Sequence, residues 1–293
     1  MNYDAPLCCP QCRSLITFDK MEGRYRCSLC PAHFEVHDGI IDLLNREDKQ
    51  AEELERYYQG VFAKEDPYNL RTGPMLHFPI GHDAKMGIVW NMLSEYEDKK
   101  GLTLLDVGCG ENPEAFKNLE VYNNTVIYHD ISKLALSRVR KRACNNRSLE
   151  RLFLAANEHV PVQDETIDIV FAGEILEHVK QPRKFLDGCA DALKRNGILI
   201  LTTPNSNALT YRLFCRTYAV HEQHVSLQSY TSAVTLLGKR FEVLDVKGIN
   251  QGIIGFRPDR IFNVSKRFCA FWANIFADRP QWATGLIFKC RKA

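Results

Sequence analysis

Leu102-Thr103-Leu104-Leu105-Asp106-Val107-Gly108-Cys109-Gly110-Glu111-Asn112-Pro113 decides how this chain folds. An apolar run of strand length ends in a glycine turn, and Asn112 before Pro113 matches a helix N-cap followed by its first residue. Gly108 and Gly110 carry no side chains, so a ligand can approach the backbone closely there. The third glycine of the dinucleotide fingerprint is missing, so the turn alone is weak and needs a second strand to support it. Val126-Ile127-Tyr128-His129-Asp130 supplies one: this run ends in an acid 24 residues beyond Asp106. A parallel neighbouring strand would place that carboxylate within reach of ribose hydroxyls. Leu152–Ala155, Ile167–Phe171 and Ile198–Thr202 then recur between helical stretches. The pattern predicts an α/β fold, a doubly wound, mostly parallel sheet with its ligand at the strands' carboxyl ends. Phe241–Val246 and Gly285–Lys289 read as a closing antiparallel pair.

Toward the N-terminus, Cys9-Pro10-Gln11-Cys12 and Cys27-Ser28-Leu29-Cys30 form two C-x2-C pairs separated by fourteen residues. Two such turns can close a tetrahedral sulfur shell that suits zinc. Cys8 would require the poorer C-x3-C spacing and is read as a bystander. Leu15–Phe18 and Arg24–Arg26 between the pairs predict a short hairpin, whose small core would depend on the metal for much of its folding energy. Residues 1–45 hold four basic and six acidic side chains, the wrong sign for phosphate binding. The unit is therefore expected to be structural or to shield substrate.

Residues 46–100 form a helical lead-in or lid. Leu54, Tyr57 and Tyr58 share helical spacing, as do Ile88, Val89, Met92, Leu93 and Tyr96. Tyr57, Tyr58, His77 and His82 are candidate ligand contacts, with ordinary packing and surface roles as the alternative. The third division, 101–293, carries the nucleotide-binding core and a cap insertion near 205–235.

Over the full 293 residues, 45% are apolar and 25% charged, which excludes global disorder and fibrous classes, and the formal charge of +2 gives no broad footprint for a polyanion. The basic cluster from Lys133 to Arg151 lies around one outer helix and reads first as a solvated face, with RNA docking as the residual. No run approaches the length of a membrane span, and Met1-Asn2-Tyr3-Asp4 lacks a signal-peptide pattern. Eleven cysteines, four in close pairs and seven scattered, fit a reducing compartment, so a cytoplasmic protein is expected.

Six ordered pieces carry a family resemblance: Leu105-Asp106-Val107-Gly108-Cys109-Gly110; Asp130; Pro161 before Asp168; Leu176-Glu177-His178-Val179; Leu193-Lys194-Arg195-Asn196-Gly197; and Thr203-Pro204-Asn205. Over residues 102–247 the chain resembles class I S-adenosylmethionine-dependent methyltransferases. The resemblance implies that Asp106, Gly108, Gly110, Asp130, Ile131 and Glu174 border the cofactor and that Asn157 with Glu158 lies beside its adenine. Two departures stand out: Ala156 where many relatives carry an adenine-contacting Asp, and Lys194-Arg195-Asn196-Gly197 in place of a double glycine. Residues 7–44, ending in Phe34–Leu44, resemble short zinc ribbons found beside or fused to methyltransferases.

Cofactor binding does not identify the acceptor. Glu174, Glu177 and His178 stand at i, i+3 and i+4, one helical face if a helix has begun, and His221-Glu222-Gln223-His224 follows the Thr203-Pro204-Asn205 loop. Glu174, Glu177, His178 and His224 resemble the metal site of ubiquinone-biosynthesis and small-RNA O-methyltransferases, which implies a second divalent ion that lowers a hydroxyl's pKa. A base or substrate contact at His178 or His224, and a purely structural role, remain as alternatives. The expected activity is methyl transfer to a small or medium-sized acceptor, most plausibly at oxygen. The rivals are an RNA methyltransferase using the ribbon and basic helix, and a non-catalytic cofactor-binding module. The aromatics of Ile261–Phe276 suggest a core or a homodimer face.

Overall fold

The computed structural model describes residues 6–45, 48–63, 79–111, 113–119, 123–143, 149–155, 160–214, 224–250 and 266–293. Strands β1 (Ile16–Asp19), β2 (Arg24–Cys27), β3 (His33–Phe34), β4 (Val36–His37) and β5 (Ile40–Asp42) precede helices α1 (Lys49–Phe62) and α2 (Pro79–Leu93). Next come β6 (Thr103–Val107), β7 (Thr125–Asp130), α3 (Lys133–Ala143), β8 (Leu149–Leu154), β9 (Ile167–Gly173) and α4 (Pro182–Ala192). The chain continues with β10 (Leu193–Pro204), α5 (Leu209–Phe214), α6 (Tyr230–Leu237), β11 (Phe241–Ile249), α7 (Lys266–Asn274) and β12 (Gly285–Lys292).

Among these residues one sheet runs in the order β11-β12-β10-β9-β6-β7-β8-β5-β4. Its centre is parallel, while β12 pairs antiparallel with both β10 and β11. Pleating sends successive side chains to opposite faces. Leu105, Ile127, Val170, Leu199 and Leu201 pack toward Phe185, Leu186 and Cys189 of α4 and Ala233 and Leu237 of α6. Leu104, Val126, Tyr128, Ile169 and Ile200 point the other way, toward Met86, Val89 and Met92 of α2 and Leu136 and Val139 of α3. Both faces are covered, so the central strands read as nearly continuous apolar runs.

Two local expectations are corrected, and one departure from the family pattern finds its physical reason. Pro113 does not open a helix within the described residues; Ala115, Phe116 and Leu119 are buried from a series of turns. Asn124 completes that irregular segment, donating from Nδ2 to Leu119 O at 2.7 Å and accepting from the Leu102 amide at 2.9 Å. Asn112 itself lies outside the described residues. Lys194-Arg195-Asn196-Gly197 is a bulged start of β10 in which Asn196 takes φ 62°, a left-handed conformation that Asn tolerates and that serves in place of a glycine. The break drawn at residue 45 does not coincide with the sheet: β5 pairs in parallel with β8, Ile40 opposite Leu152 and Asp42 opposite Leu154.

Gly248 of β11 shows how tightly the antiparallel edge is packed. A Cβ there would lie 2.4 Å from Phe276 O, 2.6 Å from Ala283 Cβ and 2.9 Å from Pro280 Cα. Two of these atoms are backbone, so Gly248→Ala is expected to cost about 3 kcal/mol and lower Tm by roughly 6 °C or more. An unchanged thermal midpoint would contradict this packing.

Candidate active site

The glycine turn and the second-strand acid meet because β6 and β7 run side by side, Val107 opposite His129. Gly108 and Gly110 adopt φ 69° and 62°, left-handed values that favour glycine. A Cβ on Gly108 would lie 2.2 Å from Ile175 Cδ1, so the bare Cα also accommodates the side chain above it. Asp130 accepts hydrogen bonds from the Gly110 amide at 2.8 Å through Oδ2 and from the Ser132 amide at 2.8 Å through Oδ1. It is buried, and burial pushes its carboxyl up to about 6 despite those amides. A carboxylate has about four acceptor positions, so capacity remains for the hydroxyls of a ligand. Asp106, also buried, lies at the end of β6, and Ile131 is buried in the α2 and α3 face of the core.

His129 supports this turn. It is fully buried between Gly108, whose amide points to Nδ1 at 3.4 Å, and Ala155, whose carbonyl lies 3.1 Å from Nε2. Burial holds its pKa down to about 4, so the ring is neutral at physiological pH.

A second cluster lies where β9 and β10 end. Leu176–His178 is a single 3-10 turn, and Glu174 stands outside it with φ 52°. No helix has begun at Glu174, so the condition for a face shared with Glu177 is not met. Such a conformation is uncommon for a non-glycine residue, and here β10 holds it. The Glu174 amide donates to Thr202 O at 2.9 Å, Thr202 Oγ1 donates to Glu174 Oε1 at 2.9 Å, and Lys85 Nζ of α2 lies 3.4 Å from the same oxygen.

Glu177 is buried, accepts from Thr203 Oγ1 at 3.1 Å, and receives the Ser226 amide on its backbone carbonyl at 3.0 Å. The latter bond draws the His224 segment to the cluster. His178 Nε2 lies 3.9 Å from Glu177 Oε1, and the rings of His178 and His224 are 4.9 Å apart. One ligand atom from each of Glu177, His178 and His224 lies within 4.8 Å of the others, a spacing that can surround a cation; Glu174 is not in that group. Desolvation, then the neighbouring Glu174 charge, pushes the Glu177 carboxyl well above its ordinary value, and a cation there would relieve both. Tyr58 of α1 completes the wall with its ring 6.2 Å from that of His178.

The four paired cysteines converge as their spacing predicts. Sγ separations are 3.7 Å for Cys9–Cys30, 3.4 Å for Cys12–Cys27 and 3.7 Å for Cys12–Cys30. Tetrahedral zinc with bonds of about 2.3 Å requires sulfur separations of about 3.8 Å, so the set fits zinc and is far too open for disulfides. The amides of Leu29 and Cys30 both point to Cys27 Sγ at 3.4 Å, the turn geometry a thiolate ligand needs. Cys8 stays outside the set, buried next to the sheet.

Of the other candidates, Tyr57 is exposed against Tyr58, and His82 is an exposed partner of Glu114 at 3.6 Å. His77, Asn157 and Glu158 lie outside the described residues. In the basic cluster, Arg138 is engaged by Glu111 and Arg140 packs against Gly39. Lys85, His129 and Thr203 join the two clusters without having been singled out. Thr203 and His129 stand within sequence motifs, at Thr203-Pro204-Asn205 and before Asp130, whereas Lys85 gives no signal before the strands and helices are assembled.

Comparison with known proteins agrees with this geometry. The sequence profile of the methyltransferase domain matches residues 105–201. A protein of uncharacterized function from Methanocaldococcus jannaschii is 31% identical over 174 residues, 59% of this chain and 67% of that one. The ubiquinone biosynthesis O-methyltransferase of Photobacterium profundum is 34% identical over 112 residues, 38% of this chain and 47% of the relative, so the match spans about half of that enzyme. The crystal structure of magnesium protoporphyrin IX methyltransferase from Synechocystis PCC 6803 with bound S-adenosylhomocysteine superposes with a TM-score of 0.56 at 14% identity, covering 83% of this chain and 99% of that one. The chain belongs to the class I S-adenosylmethionine-dependent methyltransferases. No helix among the described residues is long and apolar enough to cross a membrane.

Proposed function

We propose that this chain methylates an oxygen of a small or medium-sized acceptor with neighbouring hydroxyl or ortho-hydroxy groups, and that Glu177, His178 and His224 hold a divalent ion at the acceptor. The observation that carries this reading is the convergence of one buried carboxylate and two imidazoles within 4.8 Å. Its position at the carboxyl ends of parallel strands supports it, because that is where open α/β sheets bind ligands. The similarity to ubiquinone biosynthesis O-methyltransferase supports oxygen as the accepting atom.

Bound S-adenosylmethionine supplies a methyl group already activated on a sulfonium. The protein's task is to align the acceptor and remove its proton. Asp106, Gly108, Gly110, Asp130 and Ile131 form the cofactor's cradle in this proposal, with Asp130 accepting from ribose hydroxyls, Asn157 and Glu158 on the adenine side, and Glu174 at the boundary with the acceptor. A divalent ion in the second cluster would lower the pKa of an acceptor hydroxyl. Thr203 fixes the Glu177 carboxylate, and His178 and His224 face the acceptor from two separate segments. Tyr58 and Lys85 close the crevice from α1 and α2, the lead-in that we assign as a lid. Cys9, Cys12, Cys27 and Cys30 are assigned to structural zinc. Cys8, Cys109, Cys189 and Cys290 are free thiols outside that set, and we place the chain in a reducing, cytoplasmic setting.

The test is transfer of a labelled methyl group to a panel of catechols and their aliphatic vicinal-diol counterparts, with magnesium, manganese or zinc added and then chelated. The expected result is a mono-O-methyl product whose formation requires the ion and falls sharply, or needs far more added ion, when His224 is replaced by Ala. Transfer only to nitrogen or carbon would contradict the reading. Transfer insensitive to chelation but lost in His178→Ala would make His178 a metal-free base.

A further inference from the structure

We propose that the four-cysteine unit is a brace of the cofactor crevice, so that zinc occupancy sets affinity for S-adenosylmethionine. This rests on assigning the Gly108 and Asp130 crevice to that cofactor and the four thiols to zinc.

The cysteine ribbon has its own three-stranded sheet, β1-β2-β3, but shares a buried core with the main sheet. Leu7, Cys9, Ile16, Tyr25 and Phe34 belong to the same buried cluster as Leu105, Ile127 and Val170 from the central strands. Phe185, Leu186, Ala233 and Leu237 of α4 and α6 belong to that cluster too. The chain from β8 back to β9 must cross this face, and its described residues 160–166 contain no helix. The ribbon packs in that layer instead.

Two sets of backbone contacts fix the connection. β5 adds itself in parallel to β8, the strand beside the one that ends in Asp130. Farther along, the Cys8 amide donates to Pro161 O at 2.9 Å, the Gln163 amide donates to Pro6 O at 2.7 Å, and Gln163 Nε2 donates to Leu7 O at 3.2 Å. Arg13 adds a hydrogen bond to Val162 O at 3.3 Å and one to Asp164 at 2.7 Å.

The metal enters through Arg13. That residue follows the Cys9 to Cys12 turn directly, its amide bonded to Cys9 O at 2.8 Å, and its φ of 58° is a strained value for a residue with a side chain. Holding Cys9 and Cys12 on one ion preserves that turn and aims the guanidinium at residues 162 and 164. Without the ion, so small a hairpin has little to maintain the conformation. Residues 161–164 belong to the connection that leaves β8 after Ala155, whose amide bonds to Asp130 O at 3.3 Å and whose carbonyl faces His129. Metal loss is thereby passed along this connection to the Asp130 end of the crevice.

The test is calorimetric titration of the full chain with S-adenosylhomocysteine, zinc-loaded, stripped with a chelator and thiol reagent that is later removed, and reloaded. Hydrogen exchange is followed at residues 40–42 and 160–164. The expected result is at least tenfold weaker binding after stripping, recovery on reloading, and faster exchange in both segments. If the stripped chain loses its circular dichroism, zinc-loaded Arg13→Ala combined with Gln163→Ala decides instead. It should keep one zinc, bind about threefold more weakly and exchange faster at 160–164. Equal affinity with and without zinc, or an unchanged double variant, would overturn the brace. A zinc-loaded chain that binds no S-adenosylhomocysteine would instead sink the cofactor assignment, while the exchange comparison would still report on the brace.

Discussion

Asp130→Asn is expected to weaken S-adenosylhomocysteine binding about 100-fold or more. Hydrogen bonds to a charged group contribute about 1.5–3 kcal/mol each, and a ribose offers two hydroxyls to this acid. The amide cannot replace it, because only one of its two polar atoms accepts. With Gly110 and Ser132 both donating to the side chain, one of those amides would face an NH2 group. The fold should tolerate the change, since the buried charge is itself unfavourable.

That cost has a pH signature. The acid's ordinary pKa is 3.8, and burial raises it to about 6 in the folded, cofactor-free chain. Between these values the folded chain binds more protons than the unfolded one, so stability falls as pH rises. The contribution of Asp130 is most favourable below pH 3.8 and declines through pH 6; at neutral pH the loss amounts to about 3 kcal/mol. The D130N chain should lose this slope in denaturant titrations at pH 4 to 7. Cofactor affinity should run the opposite way, falling about tenfold from pH 7 to pH 5 as the acid takes up its proton. A flat affinity profile in the wild-type chain would remove Asp130 from the ribose.

The second large effect is expected at His178. His178→Ala should lower kcat about 100-fold or more, the usual scale for losing a proton-transfer or ion-holding group, with S-adenosylhomocysteine affinity unchanged. The side chain is partly exposed, whereas Glu177 beside it is almost fully buried. The histidine can therefore be truncated without opening the core. Glu177→Gln keeps an acceptor for Thr203 and should lose rate with little loss of stability. A kcat within threefold of wild type in both variants would leave this cluster without a part in the chemistry.

The parallel core was legible because strands covered on both faces are apolar along their whole length, as Leu104-Leu105 and Ile169-Val170 illustrate. The cysteine centre was legible because its ligand spacing is local. The parallel pairing of β5 with β8 was not: Ile40-Ile41-Asp42 is too short to signal a strand, and its partner, Leu152–Leu154, lies far along the chain. The turn at Glu174 was not legible because i, i+3, i+4 spacing is also that of a helix, while the left-handed backbone is held by Thr202 on another strand. Lys85 was invisible for a related reason, since only the packing of α2 brings it to Glu174. The carboxylate and imidazole cluster was readable in composition, but its membership was not, because Glu174 bonds Thr202 beside Lys85 and lies outside the group within 4.8 Å.

A crystal structure of the zinc-loaded chain with S-adenosylhomocysteine tests the central claim most directly. The account predicts one ligand per chain, with its homocysteine end at Gly108–Gly110 and both ribose hydroxyls on Asp130. Its sulfur should face the side of the crevice lined by Glu177, His178 and His224. Ligand bound at another surface, or seated with its ribose away from Asp130, would contradict it.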